Sequence, residues 1–297
     1  MQCLVLGAAA GGGFPQWNCG CRLCVRARAG DPAARPRTQA SAAVSADGAQ
    51  WLIIGASPDM RQQILANDVL APPPGTRASP VVGVVLISAD IDGIAGMLVL
   101  REQQRLRVFA PASILKVMAA NGVFASLDPA LVERVEIAAG VPVETGFGVS
   151  LTLLEMPGKI PLYQENRSLA VAEPAITYAA QLESGGKTCI VAPACADVND
   201  AVLRQVSAAD LLLFDGTLFT DDEMVQAGVG QKTGKRMGHV SVSGSDGSMA
   251  RLAKLPARKV FFHINNTNPM LLEDSPERRQ VEAAGYEVAF DGMRFSL

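Results

Sequence analysis

The chain has 297 residues, 49% hydrophobic and 19% charged, with a net charge of −3. Acids and bases are interspersed and aromatics are only 5%, which argues against nucleic-acid binding, where phosphate-neutralising cations and stacking rings are needed. No apolar stretch is long enough to span a bilayer, and the N-terminus lacks a cationic start followed by a long apolar run, so a soluble, cytoplasmic protein with a large core is expected.

Residues 2–7 read as a short buried strand. The turn from Gly7 to Gly13 lacks the G-x-x-x-x-G-K-[ST] pattern of a phosphate cradle and reads as tight backbone packing. Half of the six cysteines follow at once, in Cys19-Gly20-Cys21-Arg22-Leu23-Cys24. Three soft sulfurs within six residues can reach one ion, and zinc needs one further ligand to close a tetrahedron. A reducing compartment favours metal over disulfide for such a cluster. Cys3, Cys189 and Cys195 lie in apolar surroundings and read as small buried hydrophobes.

Residues 41–45 and 50–54 flank Asp47-Gly48 and predict a hairpin. Ser57-Pro58-Asp59 predicts a helix through Ile64 with Ser57 as its N-cap. The apolar run at 80–87 predicts a central strand buried on both faces, ending in Ser88-Ala89-Asp90-Ile91-Asp92-Gly93 before a helix at 94–103. Further strands are expected at 107–110, 132–137, 149–155, 187–192, 210–215 and 259–264. Further helices are expected at 111–119, 198–207, 246–254 and 275–284, and residues 157–182 read as irregular loop plus strand that could cover a site. With no repeat or linker, the expectation is one domain over 1–297: two strand-rich halves forming two sheets packed face to face, with helices outside.

Asp90 and Asp92 follow a buried strand; both could serve an ion, or Asp92 could cap the next helix. Asp215 is delivered to a strand end by Leu211-Leu212-Leu213-Phe214, as a ligand or as an Asx-turn. Asp221-Asp222-Glu223 reads as a solvated helix start. Residues 230–239 form a glycine-rich loop with three cations, Lys232, Lys235 and Arg236, and end in His239, which can be a ligand, an acid/base or a solvated side chain. The run Val260-Phe261-Phe262 ends in His263, Asn265, Asn266 and Asn268, whose amides suit binding a polar ligand or orienting metal ligands.

Seven stretches together resemble the coenzyme PQQ synthesis protein B family. The longest are Gly7-Ala8-Ala9-Ala10-Gly11-Gly12-Gly13-Phe14-Pro15-Gln16-Trp17-Asn18-Cys19 and His263-Ile264-Asn265-Asn266-Thr267-Asn268-Pro269. The others are Arg37-Thr38-Gln39, Ala56-Ser57-Pro58-Asp59, Leu100-Arg101-Glu102, Phe214-Asp215-Gly216-Thr217 and Arg236-Met237-Gly238-His239. The resemblance runs over essentially the whole chain. It implies a metallo-β-lactamase-like fold: α/β, an αββα sandwich of two mixed sheets with outer helices. It also implies a part in making pyrroloquinoline quinone (PQQ), either by metal-dependent oxidation of a Glu–Tyr-derived precursor or as a non-catalytic carrier of PQQ or its precursor toward the periplasm. A metal-dependent hydrolase is a third, weaker class.

The resemblance implies a structural zinc on Cys19, Cys21 and Cys24, with His263 or Asn266 as its fourth ligand. The superfamily metal signature H-x-H-x-D-H falls on Ser88-Ala89-Asp90-Ile91-Asp92-Gly93. The family usually keeps the final Asp-His pair; this chain keeps Asp92 and has Gly93, which offers no donor. A catalytic iron or zinc would then rely on Asp90, Asp92, Asp215, His239 and His263. Lys235, Arg236, Asn265 and Asn268 would bind or orient the small-molecule ligand, and a homodimer is the expected assembly.

Overall fold

The structure, a computed structural model, describes residues 1–159 and 176–297. Fourteen strands are found among the described residues. The first sheet holds β1 (Gln2–Gly7), β2 (Ser41–Ser45), β3 (Trp51–Ile54), β4 (Val81–Val85), β5 (Leu106–Ala110), β6 (Val132–Glu136) and β14 (Arg294–Ser296), in the order β14-β1-β2-β3-β4-β5-β6. The second holds β7 (Val143–Glu144), β8 (Ser150–Pro157), β9 (Ile176–Ser184), β10 (Lys187–Ala192), β11 (Leu211–Asp215), β12 (Arg258–Phe262) and β13 (Glu287–Val288), in the order β13-β12-β11-β10-β9-β8-β7. Each sheet is mixed. β3 to β6 run parallel in the first, and β10 to β13 run parallel in the second.

Three apolar clusters separate four layers. Cys3, Val5, Ile54 and Val85 of the first sheet meet Leu153, Cys189, Leu213 and Phe262 of the second between the sheets. The outer face of the first sheet (Leu4, Leu6, Ile53, Val84) packs under α2 (Met60–Leu65) and α4 (Ala112–Ala120) through Met60, Ile114 and Met118. The outer face of the second (Ile190, Leu212, Phe214, Phe261) packs under α5 (Asp200–Val206) and α9 (Pro276–Ala283) through Val202, Val206 and Val281. Strands covered on both faces have no solvated side, which is why they appear as unbroken apolar runs. The expected αββα arrangement is the one found. Cys3 and Cys189 are buried in the middle layer, with their sulfurs 3.8 Å apart.

Several local expectations are corrected. Ser57 does not cap α2; its hydroxyl donates to Gln63 Oε1 at 2.9 Å, and the helix starts at Met60. The helix expected at 94–103 is a short α3 (Ile91–Ile94) followed by a 3-10 turn over Ala95–Leu100, so Asp92 lies inside it and caps nothing. The cysteine segment is half helical: α1 (Arg22–Arg28) carries Cys24 in its first turn. Most of the covering loop expected at 157–182 lies outside the described residues; its last part is β9.

Candidate metal and ligand site

Parallel pairing of β11 with β12 puts Asp215 beside Phe262, and past His263, whose φ is +57°, the Asn265 amide still donates to the Thr217 carbonyl. That left-handed conformation is uncommon for a residue with a side chain and is held by its neighbours. Ile264 forms an isolated parallel bridge with Ala9, in the turn after β1, and its amide donates to the Ala8 carbonyl. The turn from Gly7 to Gly13 is therefore a packing element, as read from sequence. A Cβ on Gly11 would lie 3.2 Å from Asp92 Oδ2, so glycine lets this turn press against that carboxylate.

Asp92 lies on α3, in the connection after β4 of the first sheet, and His263 directly follows β12 of the second. They meet with Asp92 Oδ2 3.2 Å from His263 Nε2. On its other side His263 Nδ1 lies 2.9 Å from Thr217 Oγ1, and Thr217 donates its hydroxyl to Asp215 Oδ1 at 2.7 Å. A hydroxyl has one proton, so His263 must present Nδ1–H to Thr217. Asp215 is fully buried; Oδ1 also accepts from the Thr217 amide, and Oδ2 accepts from the Cys195 amide at 2.9 Å and from His239 Nδ1 at 2.8 Å. The two imidazoles stack with centroids 5.5 Å apart. A saturated Asp215 holds Thr217 and His239 in place, which leaves His239 Nε2 as the open nitrogen.

Burial pulls the His263 pKa down, but the bond and charge of Asp92 outweigh it and leave the imidazole above its ordinary value. Burial pushes Asp92 up, yet the His263 contact leaves it below the usual carboxylate range. Asp90 is raised by burial and then by the charge of Asp92, and it accepts from Ser88 Oγ at 2.8 Å. These groups line a cavity of about 390 Å³. Asn265 and Gly93 line it too, as do Met224, Met237 and Lys159.

The second cluster sits on the next turn of the same loop. The sulfurs of Cys19, Cys21 and Cys24 lie within 4.8 Å of one another and are buried. Asn266 Nδ2 is 3.1, 3.7 and 3.3 Å from them. Donors on a tetrahedral zinc with sulfur at about 2.3 Å are separated by roughly 3.6–3.8 Å; the Cys21 distance matches this and the other two are shorter, so the amide caps the thiol trio on the side where a fourth ligand belongs. A half-turn of the carboxamide presents Oδ1 there instead. His263 is committed to Asp92 and Thr217, which leaves Asn266 as the neighbour of the thiols. Burial pushes the Cys24 thiol up to about 11, while against burial the Cys24 backbone and the Cys19 sulfur hold Cys21 below its ordinary value.

Other expected site residues fall elsewhere. Asn268 is fully buried; its Nδ2 donates to the Gly216 carbonyl and its Oδ1 accepts from the Met270 amide, so it closes the loop and does not reach the cavity. Lys235 and Arg236 are exposed on α7 (Gly234–Met237), a turn capped by Thr233 and closed by Gly238 at φ +81°, and neither lines the cavity. The cation that lines it among the described residues is Lys159, which carried no motif in the sequence. Thr217 was also missed, although Asp215-Gly216-Thr217 at a strand end was the available signal.

Replacing Thr217 with Val keeps the shape and removes the hydroxyl between Asp215 and His263. The expected result is a 10–100-fold loss of affinity for an ion on Asp92 and His263, read by chelator competition.

The largest surprise is Glu223 of α6 (Glu223–Gln226). It was expected to be solvated; it is 7% exposed, and burial pushes it up to about 7. Its ordinary value is 4.5, so between about pH 4.5 and 7 the folded protein holds a proton that the unfolded chain has released. Stability contributed by that proton is lost as pH rises through the window, by about 3 kcal/mol in total. Melting curves of the wild type against Glu223→Gln from pH 4.5 to 8 should show the wild type falling relative to the variant.

The chain matches the family described as Beta-lactamase superfamily domain over residues 50–264. It is 48% identical to coenzyme PQQ synthesis protein B of Methylobacterium sp. (strain 4-46), over 100% of both chains. The chain belongs to the coenzyme PQQ synthesis protein B family. A solved structure of the family, Zn(2+)-bound PqqB from Methylobacterium extorquens, superposes with a TM-score of 0.96 at 46% identity, covering 100% of both chains. A diphosphatase of the PhnP family superposes at 0.71 with 19% identity, covering 99% of this chain and 96% of that one, and shows the shared metallo-β-lactamase fold alone. Family membership places the chain in PQQ biosynthesis. No described helix is long and apolar enough to cross a membrane.

Proposed function

We propose that the protein oxidises a Glu–Tyr-derived precursor of PQQ in the cavity between the two sheets, and that a separate zinc on Cys19, Cys21, Cys24 and Asn266 pins the N-terminal loop. The observation that carries the first part is the 3.2 Å approach of Asp92 Oδ2 to His263 Nε2 across the sandwich. Two donors on one ion with bonds near 2.1 Å stand about 3.0–3.4 Å apart, so the pair fits a shared cation, and Asp90 in the same wall makes one imidazole and two carboxylates. Oxygen and imidazole donors of this kind suit Fe²⁺ or Zn²⁺, and iron there would supply the O₂ chemistry that oxidation of a phenol needs. Thr217 fixes the His263 ring so that Nε2 faces Asp92. Asp215 fixes Nδ1–H on His239, leaving Nε2 to take a proton from a phenolic hydroxyl. Lys159 provides a cation for a ligand carboxylate, the part first assigned to Lys235 and Arg236.

Gly93 supports a second role, a carrier that holds PQQ or its precursor without turning it over. The final histidine of the superfamily signature is replaced there by a residue with no donor, at a position that lines the cavity. Metal analysis of protein purified without added metal, with O₂ uptake on adding precursor, separates the two. One zinc and no uptake supports the carrier; a second, iron-selective site with precursor-dependent uptake supports the oxidase.

A further inference from the structure

Glu223 lies outside the proposed metal donors, yet it is wired to the cavity. Its Oε2 accepts from the Phe219 amide at 2.7 Å, and its Oε1 accepts from Thr267 Oγ1 at 2.8 Å. Thr267 Oγ1 in turn accepts from Asn265 Nδ2 at 2.6 Å. Asn265 is on the cavity wall.

Direction follows from donor counting. An ionised carboxylate only accepts, so Thr267 must give its single hydroxyl proton to Glu223. Thr267 can then only accept from Asn265, so the amide group of Asn265 turns toward Thr267 and its carbonyl oxygen is left for the cavity. We propose that Glu223, acting through Thr267, is a positioning residue that holds the Asn265 carbonyl toward the cavity, so that the site recognises a ligand group donating O–H or N–H. Facing a quinone carbonyl, the same oxygen would set two acceptors against each other; facing a phenol or quinol hydroxyl, it makes a bond. The amide orientation rests on the hydrogen bonds with Glu223 ionised, whereas the choice of a quinol-type ligand rests on the cavity being the PQQ or precursor site.

Glu223→Gln reverses the chain without changing its shape. The new side chain keeps a carbonyl for the Phe219 amide and turns its NH₂ toward Thr267. Thr267 then donates to Asn265, whose amide turns over and shows NH₂ to the cavity. Two readouts at pH 8, above the value of about 7 to which burial pushes Glu223, test this in the full chain. The first is solvent exchange of the ¹⁵N-labelled Asn265 side-chain NH₂. It should be protected in the wild type and in Thr267→Ser, and fast in Glu223→Gln, whose backbone amide spectrum elsewhere overlays that of the wild type. The second is calorimetric binding of PQQ and of its two-electron-reduced quinol under anaerobic conditions. The wild type should prefer the quinol, and Glu223→Gln should shift the preference toward the quinone by about tenfold, the worth of one exchanged hydrogen bond. Equal exchange in wild type and Glu223→Gln overturns the positioning role. Altered exchange with neither probe bound by any variant upholds it and sinks the ligand reading of the cavity. Altered exchange with bound probes and unchanged preference overturns the recognition role.

Discussion

Cys21→Ser or Cys24→Ser lowers the melting temperature by roughly 10 °C and removes one equivalent of zinc from the purified protein. An ion that binds only the folded state adds about 4 kcal/mol when present at a thousand times its dissociation constant, and a chain of this size moves about 2–4 °C per kcal/mol. The sulfurs are well placed for such an effect. Cys19 precedes α1, Cys24 lies in its first turn, and Asn266 belongs to the loop after β12, so one ion ties the first 30 residues to the second sheet. Asn266→Asp should retain the ion, because a carboxylate oxygen serves as the fourth donor, whereas Asn266→Leu should weaken it. Zinc measured by mass spectrometry alongside the melting curve checks both; a full equivalent of zinc retained in Cys21→Ser would remove the thiol cluster from consideration.

Asp92→Ala and His263→Ala should each abolish the second ion proposed for the cavity, with a loss beyond the 10–100-fold expected from removing an outer partner such as Thr217. The proposed precursor-dependent O₂ uptake should fall with it. The wall of the cavity offers a complementary gain. A Cβ built on Gly93 meets Ser88 at 3.4 Å, ordinary contact, so Gly93→His is accommodated at its first carbon and adds an imidazole beside Asp92. Second-ion affinity in Gly93→His should rise above the wild type while Asp92→Ala/Gly93→His stays low. Anaerobic iron titration distinguishes these outcomes, and an unchanged iron affinity in Asp92→Ala would separate the Asp92–His263 contact from any metal function.

Much of the layering was legible because buried runs advertise themselves. Pro80 to Ile87 and Leu211 to Phe214 are apolar on both faces, and a strand between a sheet and a helix layer has to be. What failed were short elements. Ser57 lost its capping role to a side-chain bond with Gln63, and the helix after β4 broke into α3 and a 3-10 turn, because packing against the sheet outweighed local preference. The cation assignment failed for a related reason: Lys235 and Arg236 look loop-borne in sequence, but the turn that Thr233 caps carries them on its exposed side.

Residue chemistry alone marked Cys19, Cys21, Cys24 and His263, by thiols at that spacing and an imidazole after a buried strand, while Asp92 stood level with a helix cap until the resemblance singled it out. The resemblance carried by Gly7 to Cys19 and His263 to Pro269 reached the family. Tertiary structure alone decided which groups meet. Asp92 and His263 are 171 positions apart and touch because the connection after β4 of one sheet and the end of β12 of the other meet at the same rim. Thr217 and Glu223 drew their importance from burial, which forces each proton to a single partner, and a linear sequence carries no record of which polar atoms have lost their water.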